Sequence, residues 1–331
     1  ELELRYKDQH VYAIGHGVAV DWKDVDDNEI MLYSDFMPVY EVPQVTANTG
    51  DSSSKVLDFD FLSTIESNDE VLEQLLEFIN GYEDWIDIQE DLKEQEDADE
   101  QITAQRIIDR MHIAVRRMKS SISALESNFK AQHAFALANK AMLAQMQRSR
   151  PGLDRYSWRP FQLAFFLMVL ESIMDEDDDY RDLVDLIWFP TGGGKTEAYL
   201  GVMAFLFVFR RLSYTSSGNG TVAIMRYTLR LLTSQQFVRA CKVIGALELI
   251  RRGDTELGDE PFTVGLWLGR ASSPNTFSEA KYWKEKQNFS KFVLLECPWC
   301  SQKFAEENYV IDDDRFHFTC TNRSCEFGKD E

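Results

Sequence analysis

The chain has 331 residues, 44% of them hydrophobic, which is enough for two or three folded units with their own cores. Its formal net charge is −21, and such acidity, if evenly spread, argues against nucleic-acid binding because phosphate contacts need cations. The longest apolar runs, Leu163–Leu170 and Ala198–Phe209, are much shorter than the roughly 20 residues that span a bilayer, so we expect no membrane role.

The first residue is Glu, and the opening ELELRYKDQH lacks the basic start and apolar core of a signal peptide. With no secretory signal, paired cysteines indicate a reducing compartment and a metal site instead of disulfides. We therefore expect a cytoplasmic protein whose sequence here begins inside a longer chain.

Residues 1–65 alternate apolar and polar positions in short runs, at His10–Tyr12, Val18–Trp22 and Glu29–Tyr33. This alternation, broken by glycine and proline, predicts a β-rich N-terminal unit.

Residues 66–150 change to a helical period and predict a long helical hairpin, acidic in its first half and basic in its second. Residues 66–100 hold 15 acidic side chains against Lys93 alone, whereas 101–150 hold nine Lys and Arg against two acids. A solvated helix face is the simpler interpretation of the acidic run, and a segment that docks a partner or imitates DNA is the alternative.

A linker at Ser149–Gly152 precedes a region, 151–290, in which apolar strands and helices alternate. The predicted strands are Leu183–Phe189, Thr221–Arg226 and Phe262–Leu268. The predicted helices are Phe161–Met174, Thr196–Leu212 and Thr233–Arg252. Such alternation predicts an α/β fold with a parallel sheet covered on both faces.

The stretch 188–197 reads WFPTGGGKTE and connects the first of these strands to the following helix. Glycines permit close backbone approach to phosphate, and a helix N-terminus favours anions, so this loop predicts a nucleotide site. In this interpretation Lys195 reaches the β- and γ-phosphates of ATP and the Thr196 hydroxyl ligates Mg²⁺. The strict phosphate-loop pattern requires glycine where this chain has Phe189. The other predicted nucleotide-binding residues of the loop are Thr191, Gly192, Gly193, Gly194 and Glu197.

The loop resembles the first nucleotide motif of superfamily 2 helicases, in which the leading glycine is commonly replaced. Upstream, Arg159 and Gln162 stand in the sequence WRPFQ, which resembles the element whose glutamine contacts adenine in that superfamily. Downstream, MRYTLRLLTSQQ resembles the motif that contacts the nucleic-acid backbone. The resemblance therefore implies a P-loop RecA-like lobe and DNA contacts by Arg226, Thr228, Arg230 and Gln235.

Four longer stretches, YAIGHGVAVDW, NFKAQHAFALANKAMLAQ, WFPTGGGKTEAYLG and IMRYTLRLLTSQQFVRA, resemble the DrmA-like helicases of the bacterial DISARM anti-phage system. This narrower resemblance touches most of the chain. It implies DNA binding and a DrmB-like partner protein.

A superfamily 2 motor also requires an Asp-Glu pair after a later strand and arginines from a second lobe. Asp175–Asp179 precedes the phosphate loop, and Asp259-Glu260 lies before a predicted strand. We therefore expect 151–290 to be the N-terminal half of the first RecA-like lobe, able to bind nucleotide but not to hydrolyse it unaided.

The C-terminal region, 291–331, contains Cys297 and Cys300, then Cys320 and Cys325 after 19 intervening residues. Each close pair can present two thiolates to one tetrahedral Zn²⁺, so the spacing predicts a structural zinc ribbon. Reduced cysteines without metal are the alternative.

Three other residues carry weaker signals. His16 lacks neighbours at ligand spacing and is interpreted as a turn residue, and Cys241 is interpreted as helix-core filler. For Arg239 the sequence leaves phosphate contact and an ordinary ion pair equally open.

Together these features predict an ATP-dependent DNA helicase or translocase in anti-phage defence. The alternative is a DNA-binding or scaffold component in which nucleotide only switches conformation. The sequence following Glu331 would distinguish the two.

Overall fold

The computed structural model describes residue 7 and the ranges 10–14, 16–26, 29–35, 54–189, 192–214, 218–227, 230–269, 273–312 and 315–328. Within helix 230–253, the side chains of 230–233 lie outside this description. The fold is mixed α/β and mostly helical, with two small antiparallel sheets. Among the described residues, no helix combines the length and hydropathy needed to cross a bilayer.

The chain divides into two compact units. The first comprises Glu1–Ala47 and Gly81–Val115, and the second comprises Asn48–Asn80 and Arg116–Glu331. Helices α2 (Glu70–Lys93) and α3 (Ala98–Ser127) contribute residues to both units.

In the first unit, strands β1 (Ala19–Asp26) and β2 (Glu29–Asp35) form an antiparallel hairpin with an irregularity after Asp24. These strands overlap two of the predicted runs, whereas residues 10–14 form no strand. In the helical part of this unit, α2 and α3 run antiparallel. Glu90 of α2 is hydrogen-bonded to His112 of α3 at 3.0 Å, and Lys93 of α2 donates to Gln105 of α3.

The second unit contains most of the helices. They are α1 (Phe59–Leu62), α4 (Phe129–Ser149), α5 (Pro160–Met174), α6 (Lys195–Tyr214), α7 (Arg230–Gly253) and α8 (Phe277–Glu285). Helix α4 starts anew after Asn128, whose side chain accepts a hydrogen bond from the Ala131 N–H as an N-cap. The basic half of the predicted hairpin is therefore two helices.

Helix α4 lies at the centre of this unit, packed against α1, α6 and α7, while α5 packs on α6. Alanines on α4 allow this close approach, and the large side chains Trp158, Phe135, Phe166 and Phe205 fill the interior. The buried Trp158 indole donates a 2.9 Å hydrogen bond from Nε1 to Asn139 Oδ1. This satisfied polar contact fixes the residue directly before the Arg159–Gln162 element.

The predicted parallel sheet is not formed among the described residues. Residues 183–189, 221–227 and 261–269 have no strand ladder, although the three predicted helices between and around them are present. Side chains expected to be covered are instead exposed, at 90% for Val184, 84% for Leu186 and 98% for Trp267. A strand requires a hydrogen-bonded neighbour, and no described segment supplies one here.

Near the C-terminus, β3 (Tyr309–Asp312) pairs with β4 (Arg315–Phe318) in an antiparallel hairpin. Tyr309, Phe292 and Ala280 form a small core with surrounding aromatic rings. The hairpin therefore packs on α8 and the turn after it, and its strands separate the two cysteine pairs.

Candidate nucleotide site and cysteine cluster

The glycine loop precedes α6 directly. Gly192 and Gly194 have φ values of +84° and +89°, a region that side chains with a β-carbon rarely adopt. The helix begins at Lys195, so the positive end of its dipole adjoins the loop. Pro190 and Thr191 lie outside the described residues, so the predicted role of Thr191 stays a prediction.

Arg159 and Gln162 are brought to this loop from more than 30 residues upstream. Arg159 donates from NH1 to the Gly193 carbonyl at 2.7 Å, and Gln162 donates from Nε2 to the Gly194 carbonyl at 2.7 Å. Gln162 Oε1 accepts from the Arg159 N–H at 2.8 Å. The upstream element thus holds the loop through its backbone oxygens.

Gly194 cannot be replaced without moving this arrangement. A β-carbon there would lie 2.6 Å from Gln162 Nε2, far inside van der Waals contact. At Gly192, by contrast, a β-carbon would meet nothing within 4 Å. The two glycines share a backbone requirement, but only Gly194 also needs the space.

Lys195 and Thr196 occupy the first turn of α6. The Lys195 ammonium donates to the Phe189 carbonyl, and Thr196 is buried. The lysine side chain thus reaches back to the end of the segment that precedes the loop.

Phe189 occupies the position where the strict motif has glycine. Its ring stacks on Phe161 with centroids 4.1 Å apart and planes 11° from parallel. Phenylalanine at this position therefore joins the segment before the loop to α5 through an aromatic contact. The motif comparison did not indicate this contact.

Glu197 and Arg239 form a second unforeseen contact. The Arg239 guanidinium donates from NH2 to Glu197 Oε1, joining the first turn of α6 to α7. Of the two interpretations left open for Arg239, the structure thus has the ion pair. Arg239 thus contacts the loop region through Glu197, to which the motif comparison assigned only nucleotide binding.

The four residues predicted to contact nucleic acid lie within one short segment of the chain. Their described side chains do not define a common surface. Arg226 and Gln235 are exposed, Thr228 lies outside the described residues, and Arg230 begins α7 with its side chain outside the description. The structure neither assembles these residues into a site nor separates them.

The four paired cysteines converge. Their sulfur atoms all lie within 4.8 Å of one another, with 3.9 Å between Cys297 and Cys325 and 3.6 Å between Cys300 and Cys320. Four thiolates at 2.3 Å from one tetrahedral Zn²⁺ are about 3.8 Å apart, so the spacing fits this ion. The cluster could hold a zinc ion with all four positions filled by sulfur.

Burial raises the pKa of Cys297 to about 11, and burial also raises the pKa of Cys325. For Cys300, the hydrogen bonds from the Gln302 backbone and from neighbouring thiols outweigh burial, so its pKa is lowered. Asn322 Nδ2 donates to Cys300 Sγ at 3.7 Å. Desolvation therefore disfavours the thiolate form of Cys297 and Cys325, a cost that a bound cation would offset.

The residues with weaker sequence signals, His16 and Cys241, join no metal-type cluster among the described residues. His16 is exposed, and burial raises the pKa of Cys241 to about 12, as expected for a thiol among apolar side chains. His317 Nε2 lies 3.3 Å from Asp312 Oδ2 on the exposed face of the C-terminal hairpin.

The acidic run forms most of α2 and the turn after it. In its second half Trp85, Ile88 and Leu92 are 44%, 55% and 45% exposed, alongside the carboxylates. Three exposed apolar side chains are more than a purely solvated face requires, so the docking interpretation remains open.

No protein-family model matches the chain. It is 34% identical, over 370 aligned residues, to the DISARM protein DrmA of Bacillus paralicheniformis. The alignment covers 99% of this chain and 33% of that relative. The chain thus spans about a third of the length of the protein that it matches.

Over the region compared, this chain is a DrmA-like protein. The DrmA-like resemblance inferred from the four longer stretches is confirmed.

Proposed function

We propose that this chain carries the nucleotide-binding part of a DNA-dependent ATPase, a helicase or translocase that acts in bacterial anti-phage defence. The defence role is supported by the similarity to a DISARM protein. The motor role is supported chiefly by one observation, the glycine loop at the start of α6 held through its carbonyls by Arg159 and Gln162.

This arrangement suits a polyphosphate. Arg159 and Gln162 engage carbonyl oxygens of the loop, and the positive end of the α6 dipole adjoins the same loop and favours anionic oxygens. Lys195 can turn from the Phe189 carbonyl to the phosphates, because an ammonium gains more from anionic than from neutral acceptors. Thr196 would supply the hydroxyl ligand for Mg²⁺, which in turn would offset phosphate charge.

The exposed segments 183–189, 221–227 and 261–269 support a RecA-like parallel sheet in the full protein. Their apolar side chains, such as Val184, Ile224 and Trp267, are exposed at 78% or more. Such surface is costly in water and favours coverage by further chain. The relative extends well beyond the aligned region, and we propose that corresponding sequence completes the sheet.

The remaining parts of the proposal follow from the family. DNA would pass along Arg226, Thr228, Arg230 and Gln235, zinc would hold the ribbon, and a DrmB-like protein would be the partner in the bacterial cytoplasm. ATP with Mg²⁺ would supply the free energy for movement.

The decisive test is DNA-stimulated ATPase activity of the full-length protein with and without Lys195→Ala. We expect the variant to lose about a hundredfold or more in turnover, since a preorganised cation at the phosphates is removed. Lys130→Ala, which removes an exposed lysine from α4, is the matched control and should retain activity.

Equal ATPase activity in the wild type and Lys195→Ala would contradict the phosphate-loop assignment. Nucleotide binding without DNA-stimulated turnover would instead favour a switch or scaffold over a motor.

A further inference from the structure

The Glu197–Arg239 ion pair joins the phosphate loop to the helix that follows the predicted DNA segment. Glu197 is the third residue of α6, and its side chain is only 12% exposed. A β-carbon at Gly194 would lie 3.4 Å from Glu197 Oε2, so this oxygen faces the loop. Oε2 is buried and has no hydrogen-bond partner among the described residues.

Arg239 lies on α7, ten residues or fewer from the predicted DNA contacts at Arg230 and Gln235. Its influence extends to the preceding segment: burial and the nearby Tyr199 raise the pKa of Tyr227, and the Arg239 guanidinium opposes that rise. One cation is therefore close to both the phosphate loop and the stretch leading into α7.

A buried carboxylate beside a polyphosphate is electrostatically unfavourable unless a cation compensates it. Arg239 is that cation for Glu197, and at 35% side-chain exposure it remains accessible to solvent. Nucleotide at the loop would increase the need for Arg239 at Glu197, whereas a DNA phosphate near α7 would attract the same guanidinium. The two anionic ligands would compete for one charge.

We propose that the Glu197–Arg239 pair makes nucleotide and DNA binding mutually antagonistic. This inference rests on the proposed function, and it assigns a regulatory role to a contact outside the motifs. Because coupling between two ligands is reciprocal, each should weaken the other by the same factor.

The test measures the affinity of the full-length protein for a fluorescent, non-hydrolysable ATP analogue with Mg²⁺, with and without saturating DNA carrying a single-stranded overhang. We expect DNA to raise the dissociation constant of the wild type by about fivefold or more, the lower end of usual coupling factors. In the charge-balanced double variant Glu197→Gln, Arg239→Gln the factor should fall to within about twofold of one.

The matched control for the single variant Arg239→Gln is Arg252→Gln, which removes an ion-paired arginine from the same helix and changes the net charge by the same amount. It should keep the wild-type antagonism, whereas a general charge effect would reduce the factor in both proteins. The single variant Arg239→Gln should bind the analogue more weakly than the double variant, because it leaves Glu197 uncompensated.

A double variant that retains the full antagonism would overturn this inference and leave the proposed function standing. So would a wild type that binds both ligands without antagonism. A wild type that binds no nucleotide would overturn both.

Discussion

The glycine loop and the cysteine cluster reach their geometry in different ways. The cysteines come from two short loops around one hairpin, and their sulfur atoms already lie at distances that suit one zinc ion. The glycine loop instead depends on Arg159 and Gln162, which lie more than 30 residues away and hold its carbonyls. The hairpin alone brings the cysteines together, because they flank it closely in sequence. The geometry of the glycine loop depends on its backbone, and this backbone is held by side chains that are distant in sequence.

The largest effect is expected from breaking the cysteine cluster. Cys297→Ser with Cys320→Ser should abolish binding of one zinc per chain, because apparent zinc affinities of about 10–16 kcal/mol depend on the complete ligand set. Metal analysis together with limited proteolysis of the region from residue 291 onwards would detect the loss and the local unfolding. Cys241→Ser, the thiol outside the cluster, is the control.

If the wild-type protein carries no stoichiometric zinc, the ribbon assignment is wrong. If Cys241→Ser loses zinc to the same extent, the loss does not report on the cluster.

The next effect concerns the packing that supports the phosphate loop. In Gly201→Ala the new β-carbon would lie 2.4 Å from the buried ring of Trp158, so we expect destabilisation of about 1–3 kcal/mol. Gly81→Ala, in α2, meets nothing within 4 Å and should stabilise by about 0.5–1 kcal/mol through helix propensity. Denaturant unfolding of both variants measures the contrast.

A lower free energy of unfolding in Gly201→Ala, together with a higher one in Gly81→Ala, would support the view that the loop depends on packing between residues distant in sequence. A Gly201→Ala protein as stable as the wild type would show that Trp158 yields freely and does not fix the upstream element.

A smaller effect separates the two glycines of the loop. Gly192→Ala and Gly194→Ala both incur the cost of positive φ, about 1–2 kcal/mol, but only Gly194→Ala displaces Gln162 and its hydrogen bond. That bond is worth about 1 kcal/mol, so Gly194→Ala should weaken ATP-analogue binding about fivefold more than Gly192→Ala. Titration of the two variants in parallel gives the ratio.

Equal losses in the two alanine variants would mean that Gln162 adds nothing to the loop beyond the glycine backbone.

The smallest effect is expected from the acidic run. Neutralising about six carboxylates between Glu83 and Glu100 should tighten DNA binding only slightly if they form a solvated face, and more strongly at low salt if they cover the DNA contacts. The control carries the same number of neutral substitutions among Asp21–Asp60. DNA titrations at two salt concentrations compare them.

Equal changes in DNA affinity in the two variants would support the interpretation of the acidic run as a solvated helix face. A larger gain in DNA affinity from neutralising the acidic run, lost at high salt, would indicate an electrostatic gate, in which the run covers the DNA contacts.

Several features were determined by the sequence alone, because their signals are local. The glycine loop before a helix, three of the helices of region 151–290 and the two cysteine pairs follow from residue types at short spacings, and the structure has each of them. The DrmA-like assignment also came from the motifs, and the similarity confirms it.

Other features depended on tertiary structure. The ring of Phe189 on Phe161, the Glu197–Arg239 ion pair and the space that Gly194 leaves for Gln162 all join residues distant in sequence. The parallel sheet was expected from apolar runs, yet 183–189, 221–227 and 261–269 remain without partners among the described residues. The physical reason is that apolar periodicity specifies which residues avoid water, but the hydrogen-bonded neighbour of a strand comes from elsewhere in the chain.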